Sequence, residues 1–255
     1  MAVVFGSPSF VLEKEEKTSQ EETKKYKRFL FHGGALKSSD NSAFLYAAKN
    51  VEKDYNNDGE VIRKSVDSAK TIVDLINSQK DNTIQSIDFF CHGTPIGVYF
   101  IKGTSIYNDI TTKEKNKNDL NSSLYIGKGL RLVWGWELSG EDKVLSDIDY
   151  SKFTNSCKIE IHGCLTAGTI PGFPFLDNFC EDLSEYLYKA GKENSVVIGH
   201  STKANPNING DKTKNEEQDY RHGKRKVFNN GNVILEVVKK GRITGLEIKE
   251  ALNKR

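Results

Sequence analysis

Four short apolar runs, each closing on a histidine beside a small residue, set the frame for this chain. They are FLFH before Gly33-Gly34, SIDFFCH before Gly93, KIEIH before Gly163, and SVVIGH before Ser201. Apolar runs of this length bounded by turn formers are too short for helices and read as buried strands. The segments between them carry helical spacing instead. Ala69, Ile72, Val73 and Ile76 fall on one face within residues 66–80. Leu176, Phe179, Leu183 and Leu187 do so within residues 175–190, with Gly191 placed to end that helix. Strands alternating with helices predict a mostly parallel sheet covered on both faces, a three-layer α/β/α sandwich.

The remaining elements fit that plan. Residues 43–56 read as a helix, Asp58-Gly59 as a turn, and residues 60–65 as a short strand. Residues 124–136 regain strand character after a polar stretch, and Asn230-Gly231 marks a hairpin within VFNNGNVILEV. A closing helix is expected from Thr244. The domain plan is a polar arm over residues 1–28 and one α/β domain over 29–255, with insertions at about 103–150 and 202–225. A chain of 255 residues buries enough apolar surface to need neither disulfide nor metal for stability.

Charge narrows the partners. The 37 basic and 35 acidic residues leave a net charge of +2, which lacks the basic footprint of a nucleic-acid binder. Four cysteines, at positions 91, 157, 164 and 180, form no CxxC pair, so a reducing compartment is expected. No apolar run approaches the ~18 residues of a membrane span, and the N-terminus carries no classical signal pattern. The expectation is a cytoplasmic protein, or one exported by another route.

In open parallel sheets, ligands bind beyond the carboxyl ends of the strands. There the sequence puts His92-Gly93, His162-Gly163-Cys164 and His200-Ser201. A thiol at one strand end and an imidazole at a neighbouring one satisfy the need of thiolate chemistry for a nucleophile and a base within reach. Glycine beside each lets backbone come close to a substrate, and the amides of Gly93 and Cys164 could face a developing oxyanion.

The segments IDFFCHG (87–93) and IEIHGCLTAG (159–168) resemble the caspase–legumain superfamily of cysteine peptidases, which includes clostripain, gingipains and the CHAT domains. The resemblance covers the elements between about residues 28 and 201. It implies a caspase–haemoglobinase fold, His92 as general base, Cys164 as nucleophile, an oxyanion hole at Gly93 and Cys164, a protein or peptide substrate, and no cofactor or metal. Ser201 and Thr202 would border the pocket for the residue before the scissile bond, with His162 and Asp40 as further pocket candidates. Gly163 stands where many members have another small or amide residue, and the 72 residues from His92 to Cys164 make a long separation.

Other readings stay open. His162 is a rival base, two residues before Cys164. The trio His92, Cys164 and His162 lacks compact zinc spacing, and GHSTK departs from the serine-nucleophile pattern at Lys203. A carboxylate among Asp211, Glu216, Glu217 and Asp219 would suit cleavage after a basic residue, and Arg221 or Arg225 cleavage after an acidic one. Lys113, Lys115 and Lys117 make the 103–123 loop a candidate for self-cleavage. Cys91 and Cys180 are expected in the core and Cys157 to be incidental. An effector or toxin role suits such a domain. The rival from another class is a caspase-like module that binds without catalysis.

Overall fold

The computed structural model describes residues 26–35, 37–55, 59–101, 121–127, 141–170 and 172–255. It is a mixed α/β structure around a seven-stranded, mostly parallel sheet. The chain enters through β1 (Lys27–His32), passes α1 (Ser38–Glu52) to β2 (Glu60–Ser65), then α2 (Ala69–Asn77) to β3 (Ile84–Phe90). A side excursion follows: β4 (His92–Thr94), β5 (Gly97–Ile101), β6 (Asn121–Tyr125) and β7 (Lys143–Val144). The main sheet resumes with β8 (Phe153–Ile161), α3 (Phe179–Lys189), β9 (Val196–His200), the hairpin β10 (Lys224–Asn229) and β11 (Asn232–Val238), and α4 (Gly245–Leu252).

Strand order is β11-β10-β9-β8-β3-β1-β2. The strands β2, β1, β3, β8 and β9 run parallel, while β10 and β11 close the sheet antiparallel. Because β1 lies between β2 and β3, the winding reverses direction there. A crevice opens at such a reversal, beyond the carboxyl ends.

Strand residues alternate between two cores. Phe29, Phe31, Ile87, Phe89, Ile159 and Ile161 pack with α2 and α3. On the other face Leu30 and Phe90 pack with Phe44, Ala47, Ala48 and Val51 of α1, and Val196 and Ile198 meet Ile248 and Leu252 of α4. Each fully buried phenylalanine or isoleucine contributes roughly 1.5–3 kcal/mol of burial. Side-chain caps start three helices: Ser68 accepts from the Thr71 amide at 3.1 Å, Asn178 forms a capping box with Glu181, and Thr244 does so with Glu247.

Several boundaries differ from the sequence reading for identifiable reasons. Helix α1 begins at Ser38 rather than 43: SSDNS reads as a loop by propensity, but the buried i, i+3, i+4, i+7 stripe of Phe44, Ala47, Ala48 and Val51 anchors the turns before it. Strand β8 begins at Phe153 because a register shift lets Phe153 pair with Ile84 while Lys158 pairs with Ser86. Of the four-stranded side sheet β4-β5-β6-β7 only the end of β6 falls in the strand expected over 124–136, whose residues 128–136 lie outside the described residues; strands of two to five residues carry little periodicity. Val98, Phe100 and Leu124 bury the side sheet in the same core as α2. Part of the expected 103–150 insertion thereby serves the fold, whereas the 103–123 self-cleavage loop falls almost wholly outside the described residues. The hairpin turns as expected, with Asn230 and Gly231 at φ 49° and 72°.

Candidate active site

Three connections meet at the carboxyl edge of the sheet: β1 into α1 brings Asp40, β3 into β4 brings His92, and the turn after β8 brings Cys164. What joins the last two is a backbone contact between glycines. A Cβ built on Gly163 would lie 3.2 Å from Gly93 Cα and N, and one built on Gly93 would lie 3.0 Å from the Cys164 carbonyl oxygen and 2.6 Å from Thr166 Cγ2. Only glycine permits that approach, and it puts the residues next to each glycine side by side.

His92 is half-exposed. Its Nε2 stands 3.4 Å from Asp40 Oδ2, and its ring meets Phe44 edge-on with centroids 5.4 Å apart. Burial lowers its pKa below the ordinary 6.5, Asp40 opposes that shift, and Lys37 adds to it. The imidazole is therefore neutral and basic at neutral pH.

Cys164 is half-buried, and it alone of the four cysteines is not fully enclosed. The Ala204 amide donates to its sulfur at 3.3 Å, and the Ala204 carbonyl lies 3.7 Å away, placed to accept from the thiol. Leu165, the next residue, sits in the left-handed region at φ 60°, a strained position for a branched side chain. The turn is held there by hydrogen bonds from the Leu165 amide to the Thr202 carbonyl at 3.0 Å and from the Ala167 amide to the His200 carbonyl at 3.0 Å. Among the described residues, the Gly163 and Cys164 amides have no hydrogen-bond partner, which leaves them available to an anion.

The expected site residues sort clearly. His92, Cys164, Gly93 and Asp40 converge, with Asp40 placed against the imidazole. Ser201 and Thr202 flank the cysteine turn: Ser201 Oγ points to the Lys224 carbonyl at 3.4 Å, and Thr202 is exposed. His162 does not line an open pocket. It is fully buried, stacked on Phe90 at 4.3 Å, with Nε2 3.2 Å from Asp88 Oδ1. The tight turn between His162 and Cys164 breaks the alternation that would have aimed both side chains alike.

Arg221 and Arg225 are likewise committed. Arg221 is bound by Asp219 and Asp54, and Arg225 is buried against Glu160 at 3.1 Å. Neither arginine, nor Asp219, is free to read a charged substrate residue. Cys91, Cys157 and Cys180 are buried, and burial raises all three thiols, Cys157 to about 12.

Residues missed by sequence reasoning complete the surroundings. Tyr220 packs on Phe44 at 5.8 Å, and burial, then Asp40 and Cys164, raise its phenol pKa. It therefore stands close to both sides of the site. Ala204 and Tyr220 come from the 202–225 loop, where no periodicity signalled them. Asp88, Glu160 and His162 form a cluster of potential metal ligands, but Tyr55 and Lys158 hold the carboxylates together with Arg225. Such prior pairing leaves the cluster poorly suited to a cation. No family model, curated protein or solved structure matches the chain.

Proposed function

We propose that this chain is a cysteine peptidase of caspase–haemoglobinase type. The observation that carries the reading is the Gly93–Gly163 contact, which brings the segments of His92 and the half-buried Cys164 together just beyond the carboxyl ends of the adjoining parallel strands β3 and β8. In this reading His92 takes the Cys164 proton, the sulfur attacks the substrate carbonyl, and the amides of Gly93 and Cys164 receive the oxyanion, with the Gly163 amide beside them. The imidazolium then gives its proton to the leaving amine, and water hydrolyses the thioester with His92 again as base. Asp40 orients the imidazole and favours its charged form. Tyr220 and Phe44 form an apolar wall beside the reacting atoms.

A second reading has one observation on its side. Cys164 is bonded to Ala204 and His92 is turned to Asp40; among the described residues, no hydrogen bond joins the two. A module with this fold that binds without cleaving would look the same. Apo cysteine and histidine side chains commonly tighten only with substrate, so the deciding measurement is chemical. A peptide-linked electrophile should label Cys164 in the native protein and lose that labelling in His92→Ala. Equal labelling in both proteins would leave the binding module as the answer.

A further inference from the structure

On the α1–α4 face the helical layer is incomplete. Helix α1 covers β1 and β3, and α4 covers β9 and β10, but neither caps the amino-terminal half of β8. A cavity of about 580 Å³ occupies the gap, within the range of small-molecule sites. It lies beside Arg28, Gln85 and Val196, all at the amino-terminal ends of their strands. Cys164 and His92 follow the carboxyl ends, roughly 17 Å away along β3 at 3.3 Å per residue. The two sites are separate.

The lining has a distinct chemistry. Arg28, Lys158, Arg221, Arg242 and Lys249 face it against a single carboxylate, Asp54. In a chain whose net charge is only +2, that concentration is a local construction. Three of these cations have partners: Arg28 donates to Ser86 Oγ at 3.2 Å and lies over the Tyr55 ring, Lys158 pairs with Glu160, and Arg221 pairs with Asp219 and Asp54. Arg242 and Lys249 are exposed and have no ionic or hydrogen-bonding side-chain partner among the described residues. They are the two charges left to a ligand.

The opposite wall is apolar. Ile248 and Leu252 of α4 turn apolar side chains to the cavity, and Ile243 and Val196 extend that surface, with Lys249 at its edge. Wall and rim therefore ask for different halves of one molecule.

The geometry points to a binding site for a small organic phosphate, a molecule with a chain of up to three phosphates beside a ring or other apolar body. Arg242 offers the planar fork that matches a phosphate, and Lys249 supplies a second point charge. The ring would lie between Tyr55 and the Ile248–Leu252 stripe. Such a site is independent of whether Cys164 cleaves peptides.

Calorimetric titration of the full chain, in the Cys164→Ala form, tests this with ATP, inorganic pyrophosphate and adenosine as probes. ATP should bind once per chain, and more tightly than either fragment. The Arg242→Ala/Lys249→Ala double variant should bind it at least about tenfold more weakly. Both residues are exposed, so an unchanged melting temperature without ligand will certify that the variant is folded. Absence of ATP binding at millimolar concentration, or equal affinity in the double variant, would overturn the site. Pyrophosphate binding as tightly as ATP would overturn the apolar half.

Discussion

Replacing Gly93 by alanine is the sharpest test of how the site is built. The added Cβ would lie 2.6 Å from Thr166 Cγ2 and 3.0 Å from the Cys164 carbonyl oxygen. Carbon atoms rest at about 3.5–4.0 Å, so the first contact must open by about 1 Å. Thr166 cannot easily turn aside: it is buried, β-branched, and its Oγ1 donates to the Gly163 carbonyl at 3.4 Å. The second contact is backbone. Strand β4 and the cysteine turn must therefore separate, carrying His92 away from Cys164. A misplacement of about 1 Å costs on the order of 100-fold in rate, and overpacking costs about 1–3 kcal/mol in stability. The assay is the second-order rate of Cys164 acylation by a peptide-linked electrophile, with urea unfolding alongside. Adding Thr166→Ser removes the nearer methyl and should restore part of both losses. Wild-type rate and stability in Gly93→Ala would refute the claim that this contact aligns the pair.

Two further outcomes follow from charge. Protonated His92 cannot accept a proton, so the rate must fall as pH drops through its pKa; burial puts that midpoint below the ordinary 6.5. Because Asp40 raises the pKa, Asp40→Asn should move the midpoint of a kcat/KM profile to still lower pH, and an upward move would contradict the pairing. Asp88→Ala strands the Tyr55 hydroxyl and His162 Nε2 and weakens the setting of Lys158, all in the interior. Loss of one partner from such a network costs about 3–5 kcal/mol; a drop in unfolding free energy below about 1 kcal/mol would show that the network is slack.

Where this chain's strands lie was largely written in its local chemistry. Runs such as KIEIH can only alternate, putting Ile159 and Ile161 in one core and Lys158, Glu160 and His162 on the other face. The helical stripes on α2 and α3, the Asn230-Gly231 turn and the cap at Gly191 are equally local. The side sheet was largely illegible because its strands are too short to show a period, and the start of α1 because packing outweighed the propensity of SSDNS. Parallel strands put their carboxyl ends on one edge, which is how His92 and Cys164 could be expected there; that β1 lies between β2 and β3, and β3 beside β8, was not legible.

What lies around those two residues was decided by the tertiary structure. Ala204 and Tyr220 approach from a distant loop, and nothing in their own neighbourhoods distinguishes them; Asp40 was a pocket candidate in the sequence, but only the fold set it against the His92 imidazole. His162, Arg221 and Arg225 looked equally available in the sequence and are buried in ion pairs or stacking. The physical reason is range. Side-chain period and turn chemistry act over a few residues and survive in a linear reading. Burial, pairing and the close approach of two glycine backbones exist only once distant segments have packed.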